Sequence, residues 1–148
     1  YRVNHTSKAL GGFLSFLWGT VNGLIQYRNR RIRLEVDGTI RYQGAATMIA
    51  VANGQYFGGG MRVAPNAVLD SGQFEIVVVD GGSKWELLAN LPRIYRGTHL
   101  KHPSVTTMKG HHVRAFSPEK VLLDIDGEQP GCLDAEITIL PASLHLIC

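Results

Sequence analysis

Three carboxylates recur at every second position of Val121-Leu-Leu-Asp-Ile-Asp-Gly-Glu128, namely Asp124, Asp126 and Glu128. On an extended strand alternate side chains share a face. Leu122, Asp124 and Asp126 would then stand together, with Glu128 joining them if the strand continues past Gly127. Like charges side by side are costly unless a cation, a basic partner or a substrate proton offsets them. Such a cluster could hold a metal, or supply a general base whose pKa its neighbours raise. The same residues also spell an ordinary hairpin with a solvated Asp-Gly-Glu turn, and both readings stay open at this level.

The second stretch with chemical character is Val51 to Pro65, which spends Asn53, Gly54, Gly58, Gly59 and Gly60 on backbone shape rather than on burial. Three consecutive glycines allow a tight bend or the close approach of a ligand. A phosphate cradle is one reading. The stretch fits neither of the usual glycine-rich phosphate motifs, and no helix start follows Pro65, so a turn-shaping role is the other. His99-x-x-His102 and His111-His112 lie among Thr, Lys and Pro with no nearby cysteine and no helical spacing. They read as surface or hydrogen-bonding histidines rather than as a zinc site. Cys132 and Cys148 lack the CxxC spacing of zinc or redox motifs and are expected to be reduced.

These stretches need a scaffold, and the apolar pattern supplies one. Thr47 to Ala52 and Phe74 to Val79 read as buried strands, and Ile32, Leu34 and Val36 alternate with charged residues before Asp37-Gly38, the strongest hairpin signal in the chain. Ile40 and Tyr42 continue that hairpin. Val105–Met108, His112–Phe116, Val121–Ile125, Ala135–Leu140 and Ser143–Ile147 add five strands divided by turn residues. Ser83 can cap a helix from Lys84 to about Arg96, with Glu86 at the capping-box position and Trp85, Leu88 and Leu91 inward; Pro92 should kink or shorten it. From Leu10 to Ile25 the apolar residues fall on one helical face, interrupted by glycines, and an amphipathic helix is expected. It is too short and broken for a membrane span. The fold class is therefore mainly β (α+β), a β-sandwich-like domain of eight or more strands with an N-terminal amphipathic helix and one mid-chain helix.

At 148 residues the chain makes one domain, residues 1–148, large enough for a real core. The 17 glycines and 18% charged residues favour many turns between apolar strands over a helical bundle. A net charge of +3 suits an anionic ligand or membrane surface; without a dense Lys/Arg stripe it does not argue for nucleic acid. Four arginines between Arg28 and Arg33 could meet headgroups or phosphates, or could form a solvated strand start. Tyr1 is not an initiator methionine, so a fragment of a longer protein is expected. Asn4-His5-Thr6 is a formal glycosylation sequon of little weight without a secretory context.

Taken together, the pieces resemble the C-terminal domain of the diacylglycerol kinase catalytic family, which includes bacterial lipid kinases and sphingosine kinases. The residues that carry the resemblance are Val51-Ala-Asn-Gly, Phe57-Gly-Gly-Gly-Met61, Ala64-Pro65-x-Ala67 and Asp70-Ser-Gly-Gln-Phe-Glu75. Gly97-x-His99-x-x-His102-Pro103-x-Val105, Asp124-Ile-Asp-Gly-Glu128 and Ile137-x-Ile-Leu-Pro141-Ala-x-Leu144 complete the set, in the family's order from about Leu10 onward.

The resemblance implies a two-domain kinase in which an N-terminal α/β half binds ATP through a Gly-Gly-Asp-Gly-Thr loop, absent here, and this half faces the lipid. It implies Glu128 as general base, with Asp124 and Asp126 tuning or orienting it, and Asn53, Gly58, Gly59, Gly60 and Met61 on the substrate side. It also implies a structural Mg2+ near Val68, Ser71 and Gln73, held partly by backbone carbonyls, although Ser71 stands where the family has an aspartate, with Asp70 one residue earlier. The implied partners are the lipid substrate, the N-terminal kinase half, the membrane surface and, as an option, a second copy in a homodimer. A cytoplasmic protein, peripheral at the membrane, is the expected setting, and this chain alone is expected to be inactive. A non-catalytic lipid- or membrane-binding module and an NAD-kinase-like domain are the competing readings.

Overall fold

The computed structural model describes residues 28–143. The expected helix at Leu10 to Ile25, most of the expected strand at Ser143 to Ile147, and Cys148 fall outside them.

Among the described residues the first element is β1 (Arg30–Val36), which turns at Asp37-Gly38 and returns as β2 (Thr39–Ala52). Both turn residues take positive φ, +49° and +77°, as a two-residue turn matched to strand twist requires. The sequence predicts separate strands at Ile40/Tyr42 and at Thr47–Ala52. The structure joins them into one strand of 14 residues. A bulge between Ala46 and Met48 explains the join: it bends β2, so that its first half pairs with β1 and its second half with β3 (Phe74–Asp80). β4 (Val105–Gly110), β5 (His112–Phe116) and β6 (Ala135–Thr138) complete one antiparallel sheet in the order β4-β3-β2-β1-β5-β6.

The described residues thus hold six strands rather than eight or more. Val121–Ile125 keeps only isolated bridges, Leu122 to Cys132 and Ile125 to Glu128, because Gly127, Pro130 and Gly131 leave no continuous ladder for it to join. Helix α1 (Lys84–Arg96) starts where expected, with the Ser83 hydroxyl accepting the Glu86 N–H at 3.2 Å, and runs through Pro92 to a left-handed Gly97. Trp85 does not face inward. It is 80% exposed, because the face set by Leu87, Leu91 and Ile94 leaves position 85 on the far side.

The two faces of the sheet do different work. One carries Leu34, Val36, Phe74, Ile76, Val78 and Val113, the main core. β4 and β5 are separated by one residue in sequence yet have three strands between them in the sheet, so the sheet must curl around that core to let the chain pass. The crossing is pinned by Asp37, whose Oδ1 accepts the backbone N–H groups of His111 and His112 at 3.0 and 2.9 Å while its own N–H donates to the His112 carbonyl at 2.9 Å. The other face packs Val77 against Ala64 and Ala67 of the glycine-rich stretch and against Leu100 from the 3-10 turn His99–Lys101.

The two amide donors from His112 and His111 hold the Asp37 carboxyl below its ordinary value. A carboxyl depressed in the folded state adds stability that is present above its unfolded pKa and fades as pH falls through the folded one. Asp37→Asn keeps the turn and an acceptor but removes the charge. It should lower stability near neutral pH by about 1 kcal/mol, since the group is half-exposed and screened, and the two proteins should converge in strong acid. Urea unfolding measured from pH 7 down to pH 3 checks this; parallel curves would refute it.

Candidate functional site

The glycine-rich stretch leaves the end of β2 and lies as a closed loop over one face of the sheet. Its tip is a miniature hairpin: Phe57 and Met61 exchange both backbone hydrogen bonds at 2.9 and 3.1 Å, and Gly58 and Gly60 at φ +52° and +89° turn the chain between them. Asn53, Tyr56 and Gly58 to Gly60 are exposed and Met61 is half-buried. The glycines therefore serve the turn, and among the described residues no helix N-terminus follows them to gather an anion.

Below the tip the loop is braced from inside. The Gln55 amide donates to the Ala67 carbonyl at 3.1 Å, and its oxygen accepts two hydrogen bonds from the Arg62 guanidinium at 3.1 and 2.9 Å. His99, 3% exposed, reaches the Val63 carbonyl with Nε2 at 3.0 Å. A carbonyl only accepts, so Nε2 carries the proton, and the buried Nδ1 has no partner among the described residues. His102 looks elsewhere: Nδ1 accepts the Ser104 N–H at 3.3 Å and Nε2 lies 3.4 Å from Glu86. Among the described residues no three His, Cys, Asp or Glu side chains gather as a metal site.

The carboxylates occupy a second hairpin, residues 121–133, between β5 and β6. Ile125 and Glu128 exchange backbone hydrogen bonds at 2.9 and 3.0 Å around Asp126 (φ +52°) and Gly127 (φ +90°), and Asp124 Oδ1 accepts the Gly127 N–H at 3.0 Å. The strand does not continue past Gly127. The chain doubles back, which sets Glu128 across from Ile125 rather than in line behind Asp124 and Asp126. Asp124, Asp126 and Glu128 are all exposed. β2 runs on past Ala46, the partner of Arg30, to Ala52 on β3, whereas β5 ends at Phe116 opposite Arg33, so the glycine-rich stretch and this hairpin leave the sheet at separate places, with no hydrogen bond between them.

Strand pairing also assembles a groove that no linear motif announced. Arg31 and Arg33 of β1, Gln43 of β2, and Phe116, Ser117 and Asp134 line an open depression of about 600 Å³. The guanidinium groups of Arg33 and Arg114 flank the Phe116 ring at 5.9 and 5.3 Å from its centre. Arg33 pairs with Glu35 and Arg114 with Glu136, so part of this positive charge is already answered. The run of arginines was visible in the sequence. Its aromatic partner, over 80 residues away, was not.

The Mg2+ donor set that the resemblance implies does not fit as these residues stand. The Val68 carbonyl accepts the Ser71 N–H at 3.1 Å, and the Ser71 hydroxyl is engaged with the Gln73 carbonyl at 3.1 Å and the Gln73 N–H at 3.2 Å. Two carbonyls and a neutral hydroxyl, each already bonded, lack the carboxylate that magnesium favours.

Against known proteins, the family described as "YegS C-terminal NAD kinase beta sandwich-like domain" matches residues 1–148. The chain is 32% identical over 146 residues to a diacylglycerol kinase of Staphylococcus carnosus, covering 99% of this chain and 47% of the relative. It is 25% identical to a diacylglycerol kinase of Bacillus subtilis, with 99% and 48% covered. A crystal structure of a diacylglycerol kinase from Bacillus anthracis superposes with a TM-score of 0.62 at 23% identity, covering 93% of this chain and 47% of that one. A second structure from that organism reaches 0.68 at 20% identity over 82% and 40%. At those identities the structures speak for the fold. The chain spans about half the length of the curated relatives it matches.

The His99 tie is where the loop geometry can be probed. His99→Phe leaves the Val63 carbonyl without its partner and should cost about 1–3 kcal/mol. Amide exchange should accelerate most at Ala64 and Ala67, ahead of the strands. Uniform exchange or unchanged stability would show that His99 does not hold the loop.

Proposed function

Because the chain belongs to the YegS C-terminal NAD kinase beta sandwich-like domain family, the C-terminal domain of the diacylglycerol kinase catalytic family, we propose that it is the substrate-side half of an ATP-dependent lipid kinase. In this reading the γ-phosphate passes to the hydroxyl of a diacylglycerol-like lipid. The observation that carries it is the fixed presentation of Glu128: the positive-φ pair Asp126-Gly127 and the Asp124 cap set one exposed carboxylate at the end of a short hairpin.

Glu128 accepts the proton from the lipid hydroxyl as the oxygen attacks phosphorus. Asp124 positions it by closing the turn, and Asp126 contributes the turn's first residue; neither needs to move a proton. Asn53, Met61 and the Gly58 to Gly60 backbone line the substrate side, where the tight tip lets a ligand come close. ATP supplies the phosphoryl group and is held mainly by the half that carries the Gly-Gly-Asp-Gly-Thr loop. The setting is cytoplasmic and peripheral at the membrane, where the lipid is found. No helix of the described residues is long and apolar enough to cross a bilayer.

A second reading, a lipid- or membrane-binding module without catalysis, is favoured by the arginine-lined groove and by the exposed Tyr56 and Leu69. Salt-sensitive co-sedimentation with anionic vesicles would favour it only if the whole protein also fails to phosphorylate lipid. Turnover of soluble NAD in place of lipid would instead favour an NAD-kinase-like activity.

In the full-length enzyme Glu128→Gln should reduce turnover by about 10²–10⁴-fold, the range a general base supplies. The 148-residue chain by itself should phosphorylate nothing. Unchanged turnover in the variant would remove Glu128 from the chemistry, and activity of the isolated chain would overturn the assignment of halves.

A further inference from the structure

In the loop between the glycine-rich stretch and β3, Ser71 stands where the resemblance implies an aspartate, and the geometry shows what its side chain does. Ser71 Oγ accepts the N–H of Gln73 at 3.2 Å and donates to the carbonyl of the same residue at 3.1 Å, while the Ser71 N–H donates to the Val68 carbonyl at 3.1 Å. One residue therefore ties together both ends of the 68–73 segment. These are the two carbonyls that a structural cation would otherwise draw together.

We propose that Ser71 replaces the cation as the internal tie of this loop, so that the domain's stability is indifferent to magnesium. The donor chemistry runs one way. A hydroxyl engaged with an adjacent carbonyl and amide offers a magnesium ion a neutral ligand, and an ion entering there would have to break the Ser71 to Gln73 bond without gaining a charge. Asp70, one residue earlier, is exposed and appears in no hydrogen bond or ion pair within the described residues. Packing completes the tie. Gly72 takes φ +69° at the reversal, a Cβ there would lie 3.6 Å from Pro141, and Leu69 reaches to 3.8 Å of the corresponding point on Gly54. The loop thus lies close to the glycine-rich stretch, the start of β3 and the segment after β6. The expectation of a cation rests on family membership. Its replacement rests on these contacts and does not depend on which substrate is phosphorylated.

Thermal unfolding of the 148-residue chain in millimolar magnesium and in EDTA tests the proposal. The midpoints should agree to within about 1 °C, whereas a cation held at a hundredfold excess over its Kd would raise the midpoint by about 5–10 °C. Ser71→Ala should lower the midpoint by about 2 °C in both buffers, and Ser71→Thr, which keeps the hydroxyl, should restore it. A magnesium-dependent rise of several degrees in the wild-type chain would overturn the proposal, as would a Ser71→Ala chain that unfolds with the wild type. Because the readout is stability, failure of the kinase assignment would appear separately, as absent lipid phosphorylation with these midpoints unchanged.

Discussion

The absence of a side chain at Gly110 decides the shape of this domain. A Cβ there would stand 2.2 Å from Val36 Cγ1 and 3.1 Å from an Asp37 carboxylate oxygen, far inside any real contact. Only glycine lets the end of β4 lie against the end of β1, and only that approach lets the chain pass from β4 to β5 in one residue. The curl of the sheet follows from it, and Leu34, Ile76, Val78 and Val113 become the interior of a single folded-over sheet, each at most 1% exposed. The Asp37 carboxylate then locks the crossing with two backbone hydrogen bonds, so packing and polar satisfaction converge on one point.

With the main core on one face, the opposite face carries the smaller cluster around Val77 and the arginine-lined groove. On its β2–β3–β4 side the glycine-rich stretch lies down on Val77 and is braced by Gln55, Arg62 and His99, which leaves only the tip free. On its β1–β5–β6 side the face presents, among the described residues, Arg33, Phe116 and Arg114 in a row. β1 divides the two regions. The bulge in β2 makes that possible, because it frees the second half of the strand from β1 to pair with β3.

Local signals were legible in the sequence and distant ones were not. Asp37-Gly38 as a turn, Ser83 as a helix cap and the family motifs in order could all be read, since each depends on neighbours within a few residues. Two strands expected around Gly44 proved to be one, because a bulge continues a strand where composition suggests a break. Trp85 was assigned inward from a short count of apolar positions, while the longer period through Leu87, Leu91 and Ile94 decides the buried face. The closure at Gly110 joins residues 74 apart, and the Arg33 to Phe116 contact joins residues 83 apart, beyond the reach of any periodicity. The carboxylates were found by type. Their arrangement was fixed by positive φ at Asp126, which converts an expected strand into a turn and turns Asp124 from a neighbouring charge into a cap.

That conversion bears on how a general base could work here. A carboxylate is a poor base while water competes for it, and enzymes raise its reactivity by excluding solvent or by placing a like charge beside it. Among the described residues neither device is present: Glu128 faces Ile125 across the turn, Asp124 is occupied with the Gly127 amide, and the flanking Leu122 and Ile125 are 59% and 53% exposed. Two exposed apolar side chains thus stand beside an exposed carboxylate. A surface closing on the 121–133 hairpin would cover Leu122 and Ile125 and strip water from Glu128 in the same movement. In the proposed reaction, such a closure and the activation of Glu128 would have one source, the burial of those two side chains.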